Sequence, residues 1–278
     1  MPILSRYSPW GVISCLLIVG LSIIALFAPF ISPFSPGERF FPFSPPSAVH
    51  WLGTDDIGQD ILAQVIYGSQ ISLTVGLAAA VSSVCLGTLA GIGGAYLRGW
   101  GREVFRGMID TALLIPFLPL MVLLAAYLGP GLSNIVLVIS LLGWCSTARS
   151  VQARVLQLRE LPFIESLVSL GLPGYRIIYA HILPNLRELI LAKFIVTAAH
   201  VMLAEAALSF LGLGDPTRVS WGGILYYAFH RGGFSNDLWY WYLPPGGCIA
   251  LSTFTFVAWG YYLEQRATAS AADSLMED

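Results

Sequence analysis

Four side chains that can ligate a metal stand close together between positions 50 and 60: His50, Asp55, Asp56 and Asp60. Imidazole nitrogens and carboxylate oxygens bind divalent cations, so this cluster could form a metal site. The same residue types also cap helices and close turns. Because caps and turns account for all four residues, we predict a structural role for them and no metal site in this chain.

The sequence lacks the motifs of nucleotide hydrolysis and of common hydrolases. Its single lysine, Lys193, lies between Ala192 and Phe194, whereas a phosphate-binding Walker loop needs Gly-Lys followed by Ser or Thr. No HExxH zinc pattern and no GxSxG nucleophile elbow are found. We therefore predict that the chain is not an enzyme and that any ATP hydrolysis takes place on another chain.

The overall composition is that of a membrane protein. Hydrophobic residues make up 56% of the 278 residues and charged residues only 11%, compared with about 25% charged residues in soluble domains. Most of the surface must therefore face lipid or partner subunits. The net charge of -2 argues against a nucleic-acid binder, which would carry a basic excess.

Six segments are apolar over about the 20 residues that a membrane-crossing helix requires. They are residues 10–31, 72–96, 108–128, 134–150, 188–209 and 239–262. The third contains Pro116 and Pro119, which remove backbone donors and predict a kink or an unwound stretch. Such a break could line a translocation path, or it could serve only for packing.

The second segment carries small residues at intervals of four: Ser83, Gly87, Gly91 and Ala95. This spacing places them on one stripe of a helix, where small side chains let a neighbouring backbone approach closely. We predict that the stripe is a packing surface.

Basic residues predict the orientation in the membrane. If the amino terminus is cytoplasmic, eleven of the 14 Lys and Arg residues fall on the cytoplasmic side, and only Arg39, Arg218 and Arg231 fall outside. The predicted order is a cytoplasmic N-terminus (1–9), the first transmembrane helix (10–31), an extracytoplasmic segment with an amphipathic helix (32–71), a five-helix transmembrane core (72–262) with a cytoplasmic loop at 149–187, and a cytoplasmic tail (263–278).

Two ionisable residues, Glu205 and His200, fall in or near the fifth span. A charge at the centre of a membrane helix costs about 2.5–3.5 kcal/mol on insertion scales. A proton relay or a substrate contact would explain such residues. We favour a structural interpretation, with Glu205 near the outer interface and hydrogen-bonded to loop backbone, and with a neutral His200 facing a neighbouring helix.

The cytoplasmic loop keeps a helical pattern on both sides of the Gly171–Gly174 turn. One apolar face precedes the turn and another follows it: Leu156, Glu160, Phe163 and Leu167, then Ile177, Ile178 and Ile182. Two short amphipathic helices would result. They could dock in a groove of a soluble partner or pack against their own bundle.

Residues of this loop carry a family resemblance. Glu165-Ser166-Leu167, Gly171 and Leu183-Pro184 resemble the EAA loop of binding-protein-dependent ABC importer permeases. The signature of that loop is Glu-Ala-Ala, three residues, Gly, and a hydrophobic-Leu-Pro ending. Ser166 and Leu167 replace the two alanines, whereas the spacing of the Glu, the Gly and the Leu-Pro pair is kept.

Two further segments resemble the dipeptide, oligopeptide and nickel branch of that family. The first runs from His50 to Asp60 and holds Leu52, Gly53, Thr54, Asp55, Gly58 and Asp60, with Gln59 where an Arg is usual. The second runs from Ala204 to Gly214 and is followed by Ser220-Trp221-Gly222; it resembles the end of the fifth helix and the loop beyond it.

The resemblance extends from about Trp10 to Glu264 and implies the fold and the partners. The implied fold is that of a type I ABC importer permease of the C-type: an all-α integral membrane protein with six transmembrane helices and both termini in the cytoplasm. The implied location is the inner membrane of a prokaryote. The implied partners are a homologous second permease, two ATPase subunits that bind ATP and Mg, an extracytoplasmic solute-binding protein and membrane lipid.

The resemblance also implies a function and a site. Glu165, Ser166, Leu167, Gly171, Leu183 and Pro184 would form the ATPase-coupling loop, and Glu205, Pro116 and Pro119 would lie along the pathway or serve structure. The substrate would be a peptide or a nickel or other metal chelate. The competing hypothesis is a secondary transporter driven by an ion gradient, which would favour a charged midplane site and paired broken helices; the sequence shows prolines in one span and no second-half counterpart.

Overall fold

In a computed structural model, which describes residues 9–274 and the side chains of residues 10–265, every regular element is a helix. The helices are α1 (Pro9–Leu26), α2 (Ala28–Ile31), α3 (Ile61–Tyr96), α4 (Trp100–Leu114), α5 (Phe117–Leu128), α6 (Leu132–Arg159), α7 (Pro162–Ser169), α8 (Gly174–Ile177), α9 (Leu183–Phe210), α10 (Trp221–His230) and α11 (Trp239–Ser274). A π-helical segment, Ile178–Ile182, joins α8 to α9. Most of the predicted N-terminal segment 1–9 and the last four residues of the predicted tail lie outside the described residues.

Three helices within the described range are long and apolar enough to cross a membrane. They are α3, α6 and the continuous helix Gly174–Phe210, which is formed by α8, the π-helical segment and α9. The pair α4 and α5 makes a fourth if it is one span bent by 85°. The prediction of an all-helical membrane fold is therefore confirmed.

Prolines decide where two of the predicted segments break. Segment 10–31 is divided at Phe27, because Pro29 has no N–H to donate to the backbone one turn earlier. Segment 108–128 breaks at Pro116, and Ile115 before it adopts an extended backbone, as a residue preceding proline prefers. Pro119 lies in the first turn of α5, where a missing N–H breaks no helical hydrogen bond.

Helix α3 is longer than the sequence pattern predicts. The stretch that we assigned to an amphipathic outer helix is continuous with the second span, because no proline interrupts the 36 residues from Ile61 to Tyr96. At 1.5 Å per residue this helix is about 54 Å long. A single rigid element therefore runs from one end of the molecule to the other.

The stripe of small residues on α3 forms its closest contact. Ser83, Gly87, Gly91 and Ala95 are all buried. A Cβ atom at Gly91 would lie 2.7 Å from the carbonyl oxygen of Ala148, and one at Gly87 would lie 2.7 Å from that of Trp144. The backbones of α3 and α6 thus pack without intervening side chains, and the predicted packing role of the stripe is confirmed.

Two apolar clusters mark the two ends of α3. At the end near Ile61, Trp221 and Trp241 are buried against α3; we call this the motif end. Near Ala95, at the opposite end, Ile164 and Ile182 pack between α6 and α9; we call this the loop end.

We predict that Gly91→Ala destabilises the protein by about 1–3 kcal/mol, because the new methyl group meets a backbone carbonyl that no rotamer change can move. Gly93→Ala is the matched control on the same helix, since nothing lies within 4 Å of a Cβ atom there. The control should be neutral or stabilising by up to about 1 kcal/mol. Thermal unfolding midpoints in one detergent measure both variants. Equal midpoints for the two would contradict the close α3–α6 contact.

Candidate functional site

The turn between α7 and α8 is closed by backbone hydrogen bonds. Leu172 N–H donates to the carbonyl of Leu167 at 3.2 Å, and Gly171 N–H donates to that of Val168 at 3.0 Å. This pair of bonds is the Schellman arrangement that ends a helix with a residue of positive φ. Gly171 has φ +78°, and nothing lies within 4 Å of a Cβ atom there. The backbone conformation, and not a lack of space, therefore requires glycine at this position.

One face of this turn packs on the protein itself. Ile164 of α7 and Ile177 of α8 are buried together with Val155 of α6 and Leu186 of α9. The short helices are thus fixed to the ends of the long ones. The predicted single face containing Leu156, Glu160, Phe163 and Leu167 is wrong, because α6 ends at Arg159 and α7 begins in a new direction at Pro162.

The same turn also exposes large apolar side chains, next to the charged Glu165 and Arg176. Leu170, at the tip, is 76% exposed. We call this surface the loop patch, and its members are Phe163, Val168, Leu170, Tyr175 and Tyr179. Two alternatives were predicted for this loop. Packing against the bundle describes the buried residues of the turn, and docking on a partner remains possible for the loop patch.

The predicted loop residues occupy different environments. Glu165 is exposed in the first turn of α7, and its side chain makes no hydrogen bond with any described residue. Ser166 Oγ donates to the Pro162 carbonyl at 2.9 Å, and Leu167 is half-buried against the bundle. Glu165 therefore does not cap α7.

Leu183 and Pro184 mark the transition from the π-helical segment to α9. Pro184 has no N–H for the carbonyl one turn earlier, and Leu183 N–H reaches back five residues to the carbonyl of Ile178. The local widening follows from this missing donor. The Leu-Pro pair thus sets how the turn joins the long helix.

The motif end is built around two glycines that no other residue would fit. Gly53 and Gly58 have φ values of +72° and +83°. A Cβ atom at Gly53 would collide with the carbonyl oxygen of Ser44, and one at Gly58 with that of Phe40. Thr54 Oγ1 also joins two parts of the segment before α3, because it donates a hydrogen bond to the Phe41 carbonyl at 2.7 Å.

Asp55 organises the turn before α3. One carboxylate oxygen accepts from the N–H groups of Ile57 and Gln59, at 3.0 and 2.8 Å, and the other accepts from Gln64 Nε2 at 2.7 Å. Burial raises the pKa of the Asp55 carboxyl, and these three hydrogen bonds offset only part of that effect.

Asp60 caps α3. Its Oδ1 accepts from Ala63 N–H at 2.7 Å, and its Oδ2 lies 2.8 Å from His50 Nδ1. Neither Thr54 nor Asp55 caps this helix, because the helix begins only at Ile61. Leu52 packs at the edge of the Trp221–Trp241 cluster.

The remaining carboxylate of the motif binds a distant arginine. Asp56 Oδ2 lies 3.1 Å from an Arg231 nitrogen, and the Arg231 guanidinium stacks over the Tyr227 ring. Within the described residues, no group of three or more His, Cys, Asp or Glu side chains is arranged to hold a metal ion. The Asp56–Arg231 ion pair fastens the segment before α3 to the end of α10.

Glu205 lies in a hydroxyl network and is fully buried. Its Oε1 accepts from Ser209 Oγ at 2.7 Å and its Oε2 from Ser72 Oγ at 3.3 Å, and Ser72 Oγ in turn accepts from Trp221 N–H at 3.3 Å. We expected bonds from Glu205 to loop backbone; instead its partners are hydroxyl groups. The network joins α3, α9 and α10 at the motif end.

The broken pair α4–α5 presents Pro116 and Pro119 on an exposed surface. Leu114 and Tyr127 are among its most exposed apolar side chains. Because so many apolar side chains of α4 and α5 are exposed within this chain, the pair must face lipid or another subunit. Asp110 of α4 forms an ion pair with Arg149 of α6, which joins the pair to the bundle.

Sequence reasoning missed several partners, for two different reasons. Ser209 follows Glu205 by four residues, a helical spacing that could have indicated its position. Ser72 is 133 residues from Glu205, and no local pattern could have placed the two together.

We predict that Glu205→Gln has little effect, because a neutral amide can still accept from one serine and donate to the other. Glu205→Leu removes the acceptor and leaves buried hydroxyls unpaired, at about 1–3 kcal/mol for each group. Thermal unfolding midpoints of the three proteins measure the difference. If the Gln and Leu variants lose stability equally, the hydroxyl network does not hold α10 in place.

Comparison with known proteins agrees with this architecture. Residues 83–269, more than half of the chain, match the family model described as binding-protein-dependent transport system inner membrane component. A putative peptide transport system permease protein of Brucella suis is 38% identical over 240 residues, covering 85% of this chain and 79% of the relative.

Two relatives in Bacillus subtilis carry more specific names. A dipeptide transport system permease protein is 34% identical, over 73% of this chain and 64% of its own length. An oligopeptide transport system permease protein is 33% identical, over 78% of this chain and 72% of its own length. The helices, the loop turn and these matches together establish that the chain belongs to the family of inner membrane permease components of binding-protein-dependent ABC importers, in its peptide-transport branch.

Proposed function

We propose that this chain is one of two permease subunits of an ATP-driven importer, and that it forms half of the translocation pathway. The substrates are short peptides, as the names of the relatives suggest, or nickel and other metal chelates. Separate ATPase subunits, which bind ATP and Mg, drive the transport, and a solute-binding protein delivers the substrate from outside.

The observation that carries this proposal is the loop patch. Its five large apolar side chains project from a turn whose other face is buried in the bundle. Exposed apolar surface on a firmly held turn is suited to a groove in a soluble partner. We propose that this partner is an ATPase subunit and that the tip at Leu170 enters it.

The fixed turn explains how motion would be transmitted. When the ATPases close on ATP, a force on Leu170 is passed through Ile164 and Ile177 to α6 and α9. Helix α3 packs on both and extends to the motif end. A rigid-body shift at the cytoplasmic side would therefore change access at the outer side, which is alternating access driven from outside the membrane.

The proposed orientation places the loop end in the cytoplasm of a prokaryote and the motif end outside. Six spans and two cytoplasmic termini follow if α1, the bent pair α4–α5 and α11 cross the membrane together with the three long helices. The excess of basic residues on the loop side supports this orientation.

The exposed face of α4–α5 is the proposed contact with the second permease. The bend at Pro116 leaves apolar side chains open on both halves. A homologous subunit placed against this face would enclose a pathway between the two chains, and lipid would cover the remaining apolar surface.

We predict that Leu170→Asp abolishes co-purification with the ATPase subunits, because a carboxylate would be buried in an apolar groove. Phe41→Asp is the matched control at the motif end, where the side chain is 82% exposed. The control complex should retain its ATPase subunits. Pull-down of the tagged permease, followed by quantification of bound ATPase, measures both. Retention of the ATPases by the Leu170 variant would refute docking at the loop patch.

We further predict that Gly171→Val uncouples ATP hydrolysis from transport while the protein still inserts, because a β-branched residue rarely adopts φ +78°. Gly171→Asn should retain most of the coupling, since asparagine tolerates this conformation. ATPase activity and substrate uptake, measured in the same proteoliposomes, give the coupling ratio. Vanadate should block uptake and an uncoupler should not; the opposite pattern would indicate a transporter driven by an ion gradient.

A further inference from the structure

The motif end contains a half-open cavity beside the buried Asp55 carboxylate. Its volume is about 530 Å³, which lies within the usual range of small-molecule sites. It is bounded by the segment before α3 and by the chain between α9 and the end of α10. Its polar lining includes Gln59, Asp55, Asp215, Arg218 and Arg231.

The lining contains both signs of charge. The carboxylates of Asp55 and Asp215 face the same space as the guanidinium groups of Arg218 and Arg231. Arg231 is already paired with Asp56. A cavity with this balance suits a ligand that carries one charge of each sign and no large net charge.

Among these charged side chains, Arg218 has the most unused hydrogen-bond donors. Its guanidinium makes no hydrogen bond or ion pair with a described residue, and it is attracted electrostatically to the Asp215 carboxylate. The side-chain amide of Gln59 likewise makes no hydrogen bond within the described part of the chain. Donors in a fixed fork geometry are what a carboxylate ligand requires.

The carboxylates of Asp55 and Asp215 differ in how many further hydrogen bonds they can accept. Asp55 is buried and its two oxygens already accept three hydrogen bonds. Asp215 is more open; its Oδ1 accepts from the hydroxyl and N–H groups of Thr217, and the carboxylate also accepts from the Leu132 N–H. Asp215 can therefore also receive an ammonium group.

We propose that this cavity binds a zwitterionic short peptide, with the carboxylate of the peptide on Arg218 and its ammonium group on Asp215. The proposal rests on the proposed function in peptide import and adds a site within this subunit. The cavity reaches Ser209, whose hydroxyl is bonded to Glu205. An occupied cavity thus contacts the network that joins α3, α9 and α10.

The test uses the complete transporter complex in lipid nanodiscs, without ATP and without the solute-binding protein. Saturation-transfer NMR measures the affinity for trialanine, for trialanine amide and for N-acetyl-trialanine. Free trialanine should bind at least tenfold more tightly than either capped peptide. In Arg218→Ala, the preference for the free carboxylate over the amide should disappear. Arg39→Ala is the matched control, because Arg39 is an exposed arginine of the segment before α3 that does not line the cavity.

Two results would overturn the inference. One is equal affinity for free and capped peptides in the unmodified complex. The other is a loss of affinity for the solute-binding protein in Arg218→Ala with unchanged affinity for trialanine, which would make Arg218 a docking residue. ATP-driven uptake of trialanine by the full complex with its solute-binding protein tests the proposed function separately, since uptake can persist when the cavity binds nothing.

Discussion

The close contact between α3 and α6 is the constraint on which the rest of the structure depends. Without side chains at Gly87 and Gly91, the two backbones approach to a distance that a single methyl group would prevent. In lipid, water does not drive helices together, so such close packing supplies much of the association. Because α3 is held along its length, it connects the loop end and the motif end rigidly.

Different interactions stabilise the motif end and the loop end. At the motif end, buried carboxylates, glycines of positive φ and a hydroxyl network fix one conformation of the segment before α3, in which Asp55 and Asp60 satisfy backbone donors. At the loop end, few polar contacts hold the turn, and apolar burial of Ile164 and Ile177 fixes its base. The first end is rigid and hydrogen-bonded; the second exposes an apolar tip that can be buried by a partner.

Prolines give the molecule its directional changes. Pro116 bends one apolar segment by 85°, and Pro184 shifts the hydrogen-bond register where the loop turn enters α9. Pro184 acts by removing one donor, whereas Pro116 acts by favouring an extended backbone at Ile115. A membrane protein tolerates such breaks where other parts of the protein, and not lipid, satisfy the freed groups.

The amino-acid sequence by itself determined the class of protein, the small-residue stripe, the break at Pro116 and the turn at Gly171, because each depends on composition or on neighbours within one or two helical turns. It could not place Ser72 against Glu205 or Arg231 against Asp56, since these pairs are 133 and 175 residues apart. It also assigned Phe163 to an apolar face with Leu167, whereas the change of direction after Arg159 exposes Phe163 and half-buries Leu167. Only the tertiary structure decided which apolar residues are buried and which carboxylates meet which partners, because those depend on how whole helices pack.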